Sequence, residues 1–271
     1  MLSIRPVGAT ISGGGVSNKA GSQLAAELPG MIEVQGLSKR FRSSQGWKWA
    51  VVDAHFRVRP GEVFGLLGPN GAGKTTTLRL LCTVLRPTTG TARIAGYDIV
   101  HQAAQVRRHI GFLSATTGIY ERMTAWEMVE YYGRLYQIPA AQLHQRINAL
   151  FDTLQMQDFR HLRGGEMSSG MKQKVSIARA LVHDPPVLIL DEPTAGLDVL
   201  VQRTVLQTIS QLRQQGKTIL FSTHIMREVE KVCDRVAIMA RGQIIACGTL
   251  DDLRQMYGQN DLEELFFALV A

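Results

Sequence analysis

Gly68-Pro69-Asn70-Gly71-Ala72-Gly73-Lys74-Thr75 decides the fold, because it fits the pattern of glycine, any four residues, glycine, lysine, then serine or threonine. Upstream, Val63 to Leu67 is a short apolar run of strand length. Downstream, the spacing of Leu78, Leu80, Leu81 and Leu85 predicts a mostly buried helix ending before Pro87. A glycine-rich turn between a strand and a helix start lets backbone N–H groups converge on phosphate oxygens, and the positive end of the helix adds to the field. On this reading Gly68, Pro69, Asn70, Gly71, Ala72, Gly73, Lys74, Thr75 and Thr76 cradle a nucleoside triphosphate. Lys74 reaches its β- and γ-phosphates, and Thr75 ligates Mg²⁺. A dinucleotide fingerprint is excluded, since Thr76 stands where a third glycine would be needed after Gly71 and Gly73.

Further along, Val187 to Leu190 reads as a buried strand that ends in two acids, Asp191 and Glu192. Open α/β sheets bind ligands at such strand ends, and adjacent carboxylates there call for a cation. Asp191 is the expected Mg²⁺ holder, directly or through water, and Glu192 the expected general base for an attacking water.

Around these two motifs the text alternates strands with helices. From Met31, Ile32 and Val34 alternate with polar neighbours. Val52, Ala54, Phe56 and Val58 share one strand face, while Asp53, His55, Arg57 and Arg59 share the other. Pro60 and Gly61 mark a turn. Thr124 and Glu127 form a capping box opening a helix with Met128, Tyr131, Tyr132 and Leu135, and a second helix begins near Pro139 with Leu143, Ile147, Leu150 and Leu154. Beyond Gly170 the order is helix to about His183, strand, helix, strand from Thr218 to Ser222, helix. The expected fold is α/β: a P-loop NTPase core with a mainly parallel sheet, an antiparallel β subdomain and an α-helical insert at about residues 115–167. Residues 1–30, Gly- and Ser-rich without periodicity, are expected to be a disordered tail or a misassigned start ahead of Met31. Residues 31–271 form the nucleotide-binding domain.

With these motifs in place, the sequence from Met31 onward resembles the ATP-binding-cassette (ABC) ATPases. Met167-Ser168-Ser169-Gly170-Met171 resembles the family's signature, usually Leu-Ser-Gly-Gly-Gln, with Ser169 and Met171 as departures. The resemblance implies that Ser168, Ser169 and Gly170 serve the ATP of a second nucleotide-binding domain, in a head-to-tail dimer expected to be a homodimer. It further implies that Asp198 belongs to the D-loop, that His224 is the switch histidine at the γ-phosphate, and that Phe41 stacks on adenine, the alternative for Phe41 being packing into the core. Ala115 stands where the family usually has a Mg²⁺-contacting glutamine. Thr116, Thr117 or water are the alternatives there, and none is assigned.

The segment Phe112 to Tyr120 with Arg122 and Thr124, and the ending Asp261 to Phe266, look most like the ATP-binding subunits of bacterial sodium-efflux and drug exporters. The resemblance therefore implies an ATP-hydrolysing motor that works with a separate integral-membrane permease at the cytoplasmic face of the inner membrane. Its coupling groove is expected near residues 112–135, where Tyr120, Trp126, Tyr131 and Tyr132 cluster, at least two of them as ordinary helix packing. The competing class is a soluble ABC ATPase on the ribosome or nucleic acid, which the net charge of +7 permits. It is disfavoured because the chain holds one copy of each motif, no heptads between them and no nucleic-acid module, so no direct nucleic-acid partner is expected. No apolar run approaches the ~18 residues of a spanning helix. The three cysteines, Cys82, Cys233 and Cys247, lack metal or disulfide spacing and are expected to be reduced core thiols.

Overall fold

The computed structural model describes residues 30–44, 46–114 and 118–270. The expectations for the tail before Gly30 and for Ala115, Thr116 and Thr117 lie outside the described residues. In chain order, β1 (Ile32–Ser43) and β2 (Gly46–Val58) form a hairpin, and β3 (Val63–Leu67) runs through the glycine-rich loop into α1 (Lys74–Leu81). Then come β4 (Thr89–Ile94), β5 (Tyr97–Asp98), α2 (Ala103–His109), β6 (Ile110–Leu113), α3 (Ala125–Leu135), α4 (Ala140–Thr153) and α5 (Ser169–Leu181). The rest is β7 (Val187–Asp191), α6 (Val199–Gln214), β8 (Thr218–Thr223), α7 (Met226–Val232), β9 (Arg235–Ala240), β10 (Gln243–Gly248), α8 (Leu250–Tyr257) and α9 (Leu262–Val270).

The strands divide as the hydrophobic patterns require. β3, β7 and β8 are buried throughout, as continuous apolar runs covered on both faces must be. They lie inside a six-stranded sheet of order β10-β9-β3-β8-β7-β6, parallel except where β10 runs against β9. The alternating strands form a separate antiparallel sheet of order β2-β1-β4-β5. Its inner face, with Ile32, Val34, Ala54 and Val58, shares a core with α1, Phe64 and Leu66. On the other side of the six-stranded sheet, α3, α4, α5 and α6 bury Met128, Ile147, Phe151, Val175 and Ile209 in a second core. The Thr124–Glu127 capping box forms in both directions, and α4 starts directly after Pro139.

Three expectations need correction. In β2 it is Val51, fully buried, that faces the core, while Val52 is half-buried. Between the pairs Leu37↔Ala54 and Lys39↔Val51 one extra residue enters β2, with Asp53 at φ 47°, and such a bulge turns Val51 in place of Val52 to the core face. The helix α1 ends at Leu81, so Leu85 lies outside it. Thr83 at φ 60° breaks the helix, and the Arg79 carbonyl accepts from both Val84 and Leu85 N–H. Of the cysteines, Cys82 is buried and Cys233 half-buried, but Cys247 is exposed because it sits on the sheet's edge strand β10. Burial, and secondarily the charge of Asp191, push the Cys82 thiol well above the ordinary range, so it stays protonated.

His183, just past α5, makes stability depend on pH. Its Nε2–H donates to the Ile110 carbonyl at 2.9 Å, its ring stacks on Tyr136 at 3.6 Å, and its buried Nδ1 has no partner among the described residues. Burial pushes its pKa down to about 4, outweighing the hydrogen bond to Ile110 that favours the charged form, and Arg146 adds to the depression. The unfolded chain therefore takes up a proton near pH 6.5 that the folded chain refuses until about pH 4. Stability from this group is complete above pH 6.5 and is lost as pH falls toward 4, by at most about 3 kcal/mol. Urea midpoints at pH 7 and pH 5 check this: the drop between them should shrink in His183→Phe.

Candidate functional site

Register brings the separated motifs to one edge. Leu67, the last residue of β3, pairs with Thr223, and Asp191, the last of β7, pairs with Ser222. The glycine-rich loop, the two acids and His224 thus leave three adjacent parallel strands at their C-terminal ends. Two glycines of the loop cannot be replaced without movement. A Cβ on Gly68 would lie 2.3 Å from the Met239 carbonyl oxygen, and one on Gly73, which is at φ 110°, would lie 2.4 Å from that of Ala50.

Lys74 is buried, with its ammonium donating to the Gly68 carbonyl at 2.7 Å and the Pro69 carbonyl at 3.2 Å. Its Nζ is also 3.3 Å from Glu192 Oε1, which lies 3.5 Å from His224 Nδ1. Glu192 is held at φ 46°, a conformation a β-branched or bulky residue rarely keeps, and its N–H donates to both the Ser222 hydroxyl (3.0 Å) and carbonyl (3.2 Å). Asp191 is only 1% exposed; its Oδ1 accepts from Thr75 Oγ1 at 3.0 Å and Ser222 Oγ at 2.8 Å. A buried carboxylate beside a hydroxyl is an oxygen-only donor pair of the kind that binds Mg²⁺ together with substrate phosphates. Among the described residues no group of three or more His, Cys, Asp or Glu could cage a metal on its own. Any cation at Thr75 and Asp191 would complete its shell with phosphate oxygens and water.

A second set of predicted residues lies elsewhere. Ser168 caps α5, its hydroxyl accepting from Met171 N–H at 3.3 Å, and Ser168 and Ser169 are exposed. Gly170 is buried against α6, where a Cβ would lie 2.8 Å from Val201 Cγ2. Asp198 caps α6 by accepting from Leu200 and Val201 N–H, both at 3.0 Å. Among the described residues no hydrogen bond joins Ser168, Ser169 or Gly170 to the chain's own phosphate loop. Phe41 is 40% exposed on β1 with Lys39 Nζ 5.2 Å from its ring centre, and so is not packed into the core.

Three further residues organise the site, and none was read from the sequence. Ser222 ties Asp191 to Glu192. Gln173 on α5 donates from Nε2 to the Pro193 carbonyl, linking the second helix start to the loop after Glu192. Glu228, buried on α7, accepts from Thr223 Oγ1 at 2.5 Å, and Thr223 Oγ1 in turn accepts from Ile225 N–H, which holds the turn around His224. A polar residue next to a motif is the only signal any of them offers. Apart from this edge, a cleft of about 210 Å³ opens between α2, β6, α3, α5 and the segment just past α1, lined by Cys82, Arg107, Phe112, Tyr132, Tyr136 and Arg179. Tyr120 and Tyr131 are exposed nearby. Trp126 packs edge-on against Phe151 at 5.6 Å, and Tyr132 is half-buried against the same core, so two of the four aromatics do serve helix packing.

A glycine-rich loop with a buried lysine at the ends of parallel strands, beside a buried Asp and a half-buried Glu, defines a P-loop nucleoside triphosphatase. The sequence matches the family model described as ABC transporter over residues 51–195. The ATP-binding protein NatA of an ABC transporter in Bacillus subtilis is 42% identical over 239 residues, 88% of this chain and 97% of that protein. The Nod factor export ATP-binding protein I of Paraburkholderia xenovorans is 40% identical over 209 residues, 77% of this chain and 69% of that one. A solved structure of the ATP-binding subunit of an ABC transporter superposes with a TM-score of 0.79 at 32% identity, covering 88% of this chain and 99% of that one. This chain therefore belongs to the ABC transporter family, as an ATP-binding subunit with ATPase activity. Among the described residues no helix is long and apolar enough to cross a membrane.

Proposed function

We propose that residues 31–271 are the motor of an ABC exporter, working as a homodimer beneath a separate permease at the cytoplasmic face of the membrane. The carrying observation is the convergence on Glu192 Oε1 of Lys74 Nζ at 3.3 Å and His224 Nδ1 at 3.5 Å. A carboxylate so placed accepts the proton of a water attacking the γ-phosphate, Lys74 grips the β- and γ-phosphates, and His224 reports on the γ-phosphate from the end of β8. Phe41 stacks on adenine. Thr75 and Asp191 would hold Mg²⁺, which neutralises charge developing on the phosphates.

Ser168, Ser169 and Gly170 serve the nucleotide of the other subunit: their helix start is exposed, the Ser169 and Gly170 N–H groups have no intrahelical acceptor, and among the described residues nothing bonds it to the chain's own loop. The Asp198 turn, followed by exposed Val199 and Leu200, belongs to the same contact. Helices between about 115 and 167 form the insert that faces the permease, with the cleft beside Tyr132 and Arg179 as the coupling groove. Export is supported by the name of the Nod factor relative and by the exporter-like segments at Phe112–Tyr120 and Asp261–Phe266.

Ser168→Asn tests the shared site, because Asn still caps a helix but lacks the hydroxyl. ATP binding to the separate subunits should be unchanged, while ATP-induced dimerisation and turnover fall roughly 10- to 100-fold, the worth of one charge-assisted hydrogen bond. Turnover per subunit that is independent of protein concentration and indifferent to this change would overturn the shared site. Purification from the host membrane should bring down an integral-membrane partner; ribosomes in its place would favour the soluble class.

A further inference from the structure

The β1–β2 hairpin continues past the sheet it belongs to. Pairing of β1 with β4 stops at Ser38, and from Arg40 onward β1 pairs only with β2, in the register Arg40↔Trp49, Phe41↔Lys48, Arg42↔Trp47. Strand alternation puts Phe41 and Lys48 on one face of this arm and Arg40, Arg42, Trp47 and Trp49 on the other. The first face includes the adenine-stacking residue of the proposed function; the second has no role in it. Trp47 is 60% exposed and Trp49 44% exposed, on an arm without a core beneath it. The Arg40 guanidinium lies 4.5 Å from the Trp47 ring and 5.6 Å from the Trp49 ring. From Lys39 to Trp49 the sequence has Lys39, Arg40, Arg42 and Lys48 and no Asp or Glu. Arg40, Arg42 and Lys48 make no ion pair among the described residues.

We propose that this face of the arm docks on an anionic phospholipid surface. Indole rings are at home at headgroup level, where one edge is apolar and the other wet, and cations beside them are drawn to anionic lipid. The charge complementarity is one-sided: this face presents Arg40 and Arg42 beside the indoles, Lys48 extends from the opposite face of the same arm, and no acid between Lys39 and Trp49 repels the surface. A stacked nucleobase fits less well, because Arg40 already lies against the faces of both indoles. The inference goes beyond the motor reading, and its test uses no permease, so either can fail without the other.

The full chain should float with vesicles of phosphatidylcholine plus phosphatidylglycerol, and not with phosphatidylcholine alone. Tryptophan emission should shift to the blue and be quenched by brominated lipid. Each surface cation is worth roughly fivefold in partitioning. Arg40→Glu with Arg42→Glu should therefore weaken binding by at least about 25-fold at low salt, and Trp47→Ser with Trp49→Ser should abolish the blue shift. All four side chains are exposed, so thermal melts should stay at the parent value. Equal partitioning onto neutral and anionic vesicles, or parental binding by both double variants, would overturn the proposal. So would arm-dependent binding of a single-stranded oligonucleotide by a protein that ignores vesicles.

Discussion

The Glu192→Gln protein is expected to bind ATP as the parent does and to turn it over roughly 10²- to 10⁴-fold more slowly, the usual worth of a positioned general base. Gln has the volume of Glu, so the left-handed backbone at this position and the two hydrogen bonds from its N–H to Ser222 have no reason to change. What is lost is the basic oxygen. Removing its negative charge 3.3 Å from Lys74 also leaves that ammonium freer to engage phosphate, so affinity should hold or rise. With hydrolysis blocked after binding, ATP should trap the closed dimer, visible as a shift in size-exclusion chromatography that the parent shows only transiently. Parental turnover by this variant would remove Glu192 from the role of base. Slow turnover without the trapped dimer would keep the base and remove the shared site.

The meeting of the phosphate loop with Asp191 and Glu192 was legible because the loop and the two acids each follow a continuous apolar run, and parallel strands buried on both faces must align those ends; His224 was placed with them by the family resemblance alone. Strand edges of that kind carry their own signal in periodicity. Features created by tertiary pairing do not. The bulge that turns Val51 inward depends on how β2 meets β1 between Leu37 and Lys39, which no local pattern in β2 records. The early end of α1 depends on Thr83 taking a left-handed conformation that glycine or asparagine usually marks. Ser222 was mute for a different reason: a serine in a buried strand is ambiguous until a neighbouring strand supplies Asp191 for its hydroxyl and Glu192 for its lone pair. Gln173 and Glu228 are the same case on helices, polar residues whose partners lie 20 and 5 positions away.

Lys74→Ala should fail one step earlier than Glu192→Gln, at nucleotide binding itself. The ammonium is buried and fixed at the mouth of the loop by the Gly68 and Pro69 carbonyls, so it reaches a phosphate without first being ordered. Each charge-assisted hydrogen bond it makes is worth about 1.5–3 kcal/mol, and a lysine bridging two phosphates makes two. Its loss also leaves the Glu192 carboxylate without its cation in the path of the incoming γ-phosphate, which adds repulsion to the missing attraction. ATP affinity measured by calorimetric titration should fall at least roughly 100-fold, and turnover at any accessible ATP concentration with it. If loop amides, which remain, hold the α-phosphate, a nucleoside monophosphate, which lacks the β- and γ-phosphates, should bind the variant and the parent alike. The double variant Lys74→Ala with Glu192→Gln separates the two contributions. Removing the unpaired carboxylate should restore part of the ATP affinity without restoring turnover. Unchanged ATP binding in Lys74→Ala, in a protein whose melting temperature matches the parent, would mean that the loop from Gly68 to Thr75 does not hold the triphosphate.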